Sequence, residues 1–371
     1  MAPKRPRGAG ALDTTTALSP APVPLKSSEL YAALDLGTNS CRMLIAQPDG
    51  SGFRVVDSFS KSVQLGAGLE KYGRLSRSSM TRTIQALRIC QQKLKRNNVR
   101  HMRLVATEAC RRAANAEEFI DRVHRETGLR LEIIKPQEEA QLAVVSCAPL
   151  VSRSTENLLV VDIGGGSTEL VWIDLSHVPK RERSRAIMRL NGGFAPRLSD
   201  LSVARVVDWI SVPLGVATLR DQFNDVEDDA ARFALMSWFF EENLADFTPY
   251  HDTQPQKRFQ IVGTSGTVTT VAASHLGLKR YDRTKVDGMH MTTDQIDRVI
   301  RSYLALGPEG RRADPRIGQD RHALIMSGAA ILQALMRCWP TERLSVADRG
   351  LREGLLYAQM SEHGVLEDGE L

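Results

Sequence analysis

The segments YAALDLGTNSCRMLIAQ (residues 31–47) and LLVVDIGGGSTELVWID (residues 158–174) share one pattern, and this pattern decides the fold. Each has an apolar run, an Asp-Leu-Gly or Asp-Ile-Gly turn, several small or polar residues, and a second apolar run. The two turn aspartates, Asp35 and Asp162, lie 127 residues apart. Such a spacing is too long for a solenoid repeat and suits a duplicated domain.

Each copy is predicted to form a strand–turn–strand hairpin, because β-rich runs flank a short turn. A P-loop or a dinucleotide-binding loop would join a strand to a helix and carry Gly-Lys-Ser/Thr or G-x-G-x-x-G. Neither motif is present. Phosphate would therefore be bound by backbone N–H groups of the hairpins. The expected fold class is α/β, with two duplicated domains and a cleft between them.

Periodicity and turn residues predict the other elements. The predicted strands are Gly52–Ser60, Arg103–Thr107, Leu131–Ile134 and Phe259–Val262. The predicted helices are Ser76–Arg96 with Ser76 as its cap, Ala116–Thr127, Leu201–Asp208, Ala230–Ala245, Thr293–Leu306 and Ala323–Arg337.

Length and composition indicate a two-domain globular protein. The chain has 371 residues, 42% hydrophobic and 25% charged, and no apolar run near the ~20 residues of a membrane span. Residues 1–28 are basic and rich in Pro, Ala, Ser and Thr, which predicts a disordered tail. The expected domains are 29–137, completed by a helix at about 350–362, and 138–349. We expect no membrane partner.

Net charge indicates the kind of binding partner, and the cysteine pattern indicates the cellular compartment. A formal charge of +5 suits an anionic partner or serves solubility alone, and nucleic acid and polyphosphate are both anionic. The five cysteines include no C-x-x-C pair. Buried thiols in a reducing cytoplasm are the simplest explanation.

The two hairpin loops carry the strongest candidate site. Asp35 and Asp162 could each meet a bound cation, and short donors follow them. An aspartate that bonds its own turn would explain one copy. Three consecutive glycines are harder to explain, because each costs about 0.5–1 kcal/mol relative to alanine unless a ligand must approach the backbone. The candidate phosphate-binding residues of the two loops are Gly37, Thr38, Asn39, Ser40, Gly164, Gly165, Gly166, Ser167 and Thr168.

Further candidates lie outside the hairpins. The loop residues Gly263, Thr264, Ser265 and Gly266 could form a rim for phosphate or a nucleotide, or simply cap a helix. Glu138 and Glu139 begin a predicted helix, where glutamates often only complement the helix dipole. One of them could instead accept a proton from an attacking water.

Arginines and a third carboxylate complete the candidate site. Arg111 ends a strand region and could bind phosphate through its planar fork. Arg42 follows the first loop on the return strand and could point toward it. Glu169, next to the second loop, is a third candidate metal ligand beside Asp35 and Asp162.

At these residues the chain resembles the bacterial exopolyphosphatases and guanosine pentaphosphate phosphohydrolases, which share the acetate kinase, sugar kinase and actin superfold. The resemblance runs from about residue 31 to residue 360. It rests on DLGTNSCR, LGAGL with GRLS, ATEACRRAANAEEF, QEEA, VVDIGGGSTELV, SVPLG, GTSGTV and DRGLREGLLY. It implies two ribonuclease H-like domains in a short member of the family.

The resemblance also implies roles for single residues. Asp35 and Asp162 would place Mg²⁺, Glu139 would be the general base with Glu138 as the near alternative, and Arg111 would contact phosphate. A monovalent cation could stimulate the reaction. Two departures from the family are Thr38, where Ser is frequent, and Thr218, where many members have Arg.

We therefore expect an exopolyphosphatase that releases terminal orthophosphate from inorganic polyphosphate and does not bind nucleic acid. Guanosine pentaphosphate hydrolysis, phosphate transfer from polyphosphate to ADP, and non-enzymatic phosphate sensing are the alternatives. A homodimer is among the assemblies that the sequence allows.

Overall fold

The computed structural model describes residues 29–194, 204–252, 258–318 and 321–366. The predicted tail, residues 1–28, lies outside these ranges. Two mixed β-sheets form the centre of the fold, each with helices on its faces.

The first sheet is built from residues 31–133. Its strands are β1 Tyr31–Leu36, β2 Ser40–Asp49, β3 Gly52–Ser62, β4 His101–Ala106 and β5 Glu132–Ile133, and its helices are α1 Leu69–Tyr72, α2 Arg77–Arg96, α3 Glu108–Arg112 and α4 Ala116–Thr127. The strand order is β3-β2-β1-β4-β5. β1 pairs antiparallel with β2 and parallel with β4.

The second sheet repeats this plan. Its strands are β6 Asn157–Ile163, β7 Thr168–Asp174, β8 Arg205–Val212, β9 Phe259–Thr264, β10 His290–Met291 and β11 Leu344–Ala347, in the order β10-β11-β9-β6-β7-β8. β6 pairs antiparallel with β7 and parallel with β9. The duplication predicted from the two hairpin segments is therefore present in the strand order and in the strand directions.

The helices after residue 135 pack on the second sheet, apart from the last of them, which lies against the first sheet. They are α5 Pro136–Cys147, α6 Arg183–Met188, α7 Val216–Gln222, α8 Asp229–Glu242, α9 Gly266–His275, α10 Arg283–Val286, α11 Thr293–Ala313, α12 Ile325–Cys338 and α13 Leu351–Glu362. Short 3₁₀ turns occupy Ala148–Leu150, Arg189–Gly192 and Thr248–His251. α11 is interrupted at Gly307, whose φ is 63°.

Most predicted elements are confirmed within one to four residues at their ends. Ser76 caps α2 by accepting a hydrogen bond from the Ser79 N–H, and the predicted helix 293–306 ends where Gly307 interrupts α11. The helix predicted at Leu201–Asp208 is wrong. Residues 205–212 form strand β8, which pairs antiparallel with β7 and is the counterpart of β3, whereas residues 201–203 lie outside the described ranges.

α13 lies against the first sheet although it follows the second in sequence. Leu355, Leu356 and Met360 pack with Tyr31 and Ala33 of β1 in one buried cluster. The Gln359 amide donates a hydrogen bond to the Ala32 carbonyl at 3.2 Å. α13 therefore connects the second half of the chain to the first sheet.

Candidate active site

The two hairpin loops have the same backbone geometry. The Gly37 N–H donates to the Ser40 carbonyl at 2.9 Å, and the Gly164 N–H donates to the Ser167 carbonyl at 2.9 Å. Asp35 and Asp162 stand at equivalent positions near the ends of β1 and β6. The repeat therefore places two equivalent carboxylates and two equivalent loops at the edges of the two sheets.

A cleft of about 280 Å³ lies between the loops and receives residues from both halves. Most predicted site residues line it: Asp35, Gly37, Thr38, Asn39, Ser40, Arg42, Glu139, Asp162, Gly164, Gly165, Gly166, Ser167, Ser265 and Gly266. This lining consists mainly of loop backbone, hydroxyl groups and charged side chains, which suits a phosphorylated ligand.

The glycines of the second loop allow the two hairpins to touch. A Cβ on Gly166 would lie 2.5 Å from the Thr38 Oγ1 and 2.9 Å from the Glu108 Cγ. A Cβ on Gly165 would lie 3.3 Å from the Asn39 nitrogen. Only glycine permits this approach without displacement of the first loop.

The start of α7 donates hydrogen bonds to the backbone carbonyls of the second loop. The Val216 and Ala217 N–H groups donate to the Gly164 and Gly165 carbonyls at 3.0 and 2.8 Å. Thr218 donates its hydroxyl to the Gly166 carbonyl at 3.2 Å. The carbonyls of all three loop glycines thereby have hydrogen-bond partners.

The Thr38 hydroxyl is a buried polar atom without a partner. Thr38 is 6% exposed, and its Oγ1 forms no hydrogen bond within the described part of the chain. An unsatisfied buried hydroxyl is unfavourable by roughly 1–3 kcal/mol. Thr38 lines the cleft. Its hydroxyl would therefore gain a partner if it donated a hydrogen bond to an oxygen of a bound phosphate, or if its oxygen coordinated a bound cation.

Burial raises the pKa of both equivalent aspartates, Asp35 and Asp162. Desolvation by burial, followed by the charge of Asp35, raises the pKa of Asp162 to about 7. Burial also raises the pKa of Asp35, although Arg42 and Arg352 oppose the shift. A cation between these carboxylates would favour their ionised forms.

The donor set fits Mg²⁺ only in part. Asp35 and Asp162 offer hard oxygen ligands, but the described residues contain no group of three or more His, Cys, Asp or Glu side chains arranged to hold a metal. Mg²⁺ is commonly bound by one or two carboxylates together with water and substrate phosphates. The two aspartates therefore fit an ion that arrives with its phosphate ligand.

Glu139 enters the cleft from the first turn of α5. Its carboxylate accepts a hydrogen bond from the Arg111 Nη1 at 2.7 Å. Burial raises the pKa of Glu139 to about 7, while Arg111 opposes the shift. A carboxylate with a pKa near neutrality is well suited to accept a proton from water.

Arg111 and Glu138 do not line the cleft. The Arg111 guanidinium is engaged by Glu139 and Glu108, and the Glu138 carboxylate accepts a hydrogen bond from the Arg103 Nη2 at 2.8 Å. Phosphate contact by Arg111 stays a prediction and would require the guanidinium to leave these partners.

Four more predicted site residues lie behind the cleft surface. Thr168 donates its hydroxyl to the Leu214 carbonyl at 2.7 Å, and Gly263 lies within β9. Thr264 bonds the Arg349 carbonyl. Glu169 is 2% exposed and accepts a hydrogen bond from Ser211, and burial, with Glu139 and Asp162 nearby, raises its pKa. A neutral Glu169 would be a poor metal ligand.

The third loop combines cleft-lining residues with a helix cap. Ser265 has φ of 130°, a conformation that L-residues rarely adopt, and its hydroxyl accepts from the Thr267 and Val268 N–H groups at the start of α9. Ser265 and Gly266 line the cleft. The helix-cap interpretation of this loop is therefore confirmed, and the ligand rim stays a prediction.

Sequence reasoning missed several charged residues at the site. Arg321 lines the cleft and donates to the Gly266 carbonyl and the Thr270 hydroxyl. Arg349 and Arg352 line a smaller cavity of about 70 Å³ that also borders Asp35 and Asp162. The motif DRGLREGLLY contains both arginines, but nothing near Arg321 in the sequence marks it as a site residue.

Two duplicated α/β halves that face each other across phosphate-suited hairpins define the actin-like two-domain class of proteins. The chain belongs to the Ppx/GppA phosphatase family, whose sequence model matches residues 44–363. No described helix is long and apolar enough to cross a membrane.

Individual relatives agree with this assignment. The guanosine-5'-triphosphate,3'-diphosphate pyrophosphatase of Aeromonas salmonicida is 29% identical over 333 residues, covering 90% of this chain and 60% of that protein. The chain thus spans about 60% of the length of the curated relatives it matches.

Solved structures show the same fold. The Ppx/GppA family member of Aquifex aeolicus has a TM-score of 0.70 at 28% identity, covering 90% of this chain and 98% of that chain. The exopolyphosphatase of Cytophaga hutchinsonii has a TM-score of 0.75 at 21% identity, covering 91% and 100%, which supports the fold alone.

Gly166→Ala should reduce kcat/KM on the hydrolysed substrate by roughly 10²-fold, because the added Cβ would push the two loops apart by a fraction of an ångström or more. Gly52→Ala is the matched control, since the nearest atom to its added Cβ is 3.8 Å away. Steady-state kinetics with a thermal-unfolding check would test this. Wild-type kinetics in Gly166→Ala would show that the close approach is dispensable.

Asp162→Asn should stabilise the ligand-free protein at pH 8 more than at pH 5, by about 2–3 kcal/mol. The Asp162 pKa is raised from 3.8 to about 7 on folding. The folded protein therefore retains a proton that the unfolded chain has released. This contribution to stability is complete below about pH 4 and is lost as pH rises through about 7.

Urea unfolding of metal-free protein at the two pH values measures this difference. Asp246→Asn, at an exposed position, should shift stability equally at both. If Asp162→Asn behaves in the same way as this control, the buried aspartate is not responsible for the pH dependence.

Proposed function

We propose that the protein is an exopolyphosphatase, which hydrolyses the terminal phosphoanhydride bond of inorganic polyphosphate and releases orthophosphate. The observation that carries this proposal is the convergence of Asp35, Asp162 and Glu139 on one cleft between two glycine-rich loops. The loops suit phosphate binding, the aspartates suit a cation, and the glutamate suits proton acceptance from water.

The electrostatics of the cleft match a polyanionic substrate. Arg42 and Arg321 border the same space as the loops. Burial, followed by the charge of Arg352, lowers the pKa of Arg42, whereas Asp35 opposes this shift. An anionic chain would relieve the repulsion among these arginines, and fixed positive groups would offset charge that develops in the transition state.

The chain's own residues account for the proton and for the positioning. Glu139 accepts a proton from water, the water oxygen forms a bond to the terminal phosphorus, and the bridging P–O bond breaks. The electron pair of that bond stays with the shortened chain, and orthophosphate leaves. The hairpin amides hold the terminal phosphoryl group in line, which supplies much of the acceleration in phosphoryl transfer.

Mg²⁺, held through Asp35 and Asp162, would neutralise phosphate oxygens when bound. A stimulating monovalent cation belongs to the same proposal. Asp35 and Asp162 would need to ionise for this role, and a bound cation would lower the pKa of both.

Guanosine pentaphosphate is the second candidate substrate. Two relatives of the chain, from Aeromonas salmonicida and Aeromonas hydrophila, are guanosine-5'-triphosphate,3'-diphosphate pyrophosphatases, and the reaction on the terminal phosphate would use the same residues. The lining of glycines, hydroxyls and charged groups makes contacts that any terminal phosphate could use, and it favours neither substrate by itself.

Product analysis separates the candidates. The purified protein with Mg²⁺ is incubated with polyphosphate, with guanosine pentaphosphate, or with polyphosphate and ADP, while phosphate and ATP are followed. Faster phosphate release from polyphosphate supports the proposal. Faster release from guanosine pentaphosphate selects the second candidate, ATP formation selects a kinase, and no product in any mixture selects a sensor.

Glu139→Gln should lower kcat by roughly 10²–10⁴-fold with little change in KM, because the amide cannot accept the proton. Glu132→Gln is the matched control, since Glu132 is a half-exposed carboxylate that pairs with Arg103 and should keep wild-type turnover. Near-normal kcat in Glu139→Gln, together with a large loss in Glu138→Gln, would transfer the role to Glu138.

A further inference from the structure

Glu108 is a buried carboxylate at the junction of the two halves. It begins α3 in the first half, is 8% exposed and lines the cleft. Its Cγ lies 2.9 Å from the position that a Cβ on Gly166, in the second half, would take. Glu108 therefore has little freedom to move while the two loops are together.

The Arg111 guanidinium lies between Glu108 and Glu139. Its Nε and Nη2 donate to the Glu108 Oε2 at 3.0 and 2.8 Å. Its Nη1 donates to the Glu139 Oε2 at 2.7 Å and to the Ile134 carbonyl at 3.0 Å. These bonds use one edge of the planar group for Glu108 and leave a single nitrogen for Glu139.

This division has a geometric consequence for Glu139. An arginine and a carboxylate that meet without competition often form a bidentate pair, in which both carboxylate oxygens accept hydrogen bonds. Glu108 occupies the Nε–Nη2 edge, and Nη1, the nitrogen left to Glu139, also donates to the Ile134 carbonyl. Only the Oε2 of Glu139 is bonded to Arg111, and Oε1 remains available to a water in the cleft.

The carboxylates around Arg111 explain why its guanidinium must be held on the side opposite Glu139. Arg111, Asp35, Asp162 and Glu169 interact electrostatically with Glu139, and Glu108 shares the Arg111 guanidinium with it. Arg111 is thus a cation among acidic groups, and without Glu108 it would turn toward the remaining carboxylates. Glu139, the nearest, would lose its free oxygen.

We propose that Glu108 is a positioning residue: it holds the Arg111 guanidinium from the side opposite Glu139 and so keeps one Glu139 oxygen free for the attacking water. This inference rests on the proposed function, since it gives Glu139 the role of general base. It assigns Glu108 no contact with substrate.

Glu108→Ala tests the inference through the split between kcat and KM. We expect kcat on the hydrolysed substrate to fall about 10- to 100-fold, the range seen when a group that orients another is removed. KM should stay within about threefold, because no substrate contact is lost. Glu108→Gln occupies the same space and retains an acceptor, so its kcat should lie between those of wild type and Glu108→Ala.

A double-mutant cycle separates positioning from general structural support. In the Glu139→Gln background, Glu108→Ala should lower kcat by less than about twofold, because a residue that acts through another has no independent effect. Glu70→Ala is the matched control. Glu70 pairs with Arg112, the next residue of α3, at 2.7 Å, and its replacement should leave kcat and KM unchanged.

Three results would overturn the inference: unchanged kcat in Glu108→Ala, a rise in KM with kcat intact, or losses that multiply fully in the double mutant. If Glu108→Ala does not fold, Glu108→Gln in both backgrounds supplies the same comparison.

Failure of the proposed function is recognised separately, as absence of hydrolysis by wild-type protein. In that event crystal structures of wild type and Glu108→Ala decide the inference. A bidentate Arg111–Glu139 pair in the variant alone would support it, and an unmoved guanidinium would refute it.

Discussion

The contact between the two glycine hairpins is the constraint on which the site depends. Gly165 and Gly166 meet Thr38 and Asn39 at distances that leave no room for a side chain. Gly215, at the start of α7, is equally confined, since an added Cβ would lie 2.5 Å from the Gly164 carbonyl oxygen. These contacts hold the loops face to face, so one phosphate group can reach the backbone of both halves.

The same contact brings buried carboxylates close together, which is electrostatically unfavourable. Closing the loops buries Asp35, Asp162 and Glu139 near one another, and each carboxylate has its pKa raised by burial. Arg42 and Arg111 offset part of this negative charge. A ligand-free cleft is therefore destabilised by the groups that would handle a cation and a phosphate chain, which is a usual compromise at functional sites.

Local patterns predicted the hairpins, the helix that carries Glu139, and the loop before α9, because each depends on residues close in the chain. The helix predicted over residues 201–208 overlaps strand β8, since a short apolar run does not distinguish a helix from a strand and the pairing of β8 with β7 is a tertiary contact. Arg321 was not predicted as a site residue for a related reason. No motif surrounds it in the sequence, and only folding places it beside Gly266.

By itself, the sequence determined the duplication, the α/β class and the positions of two phosphate-suited loops, since these follow from periodicity and from the backbone freedom of glycine. The tertiary structure alone decided which charged side chains meet. It paired Glu138 with Arg103 and Glu139 with Arg111, and placed Glu108 on the other side of that guanidinium. It also left the Thr38 hydroxyl without a hydrogen-bond partner among the residues that the structure describes. The physical reason is that hydrogen bonds and pKa shifts depend on distance and burial, which residues far apart in the chain acquire only when the two halves are together.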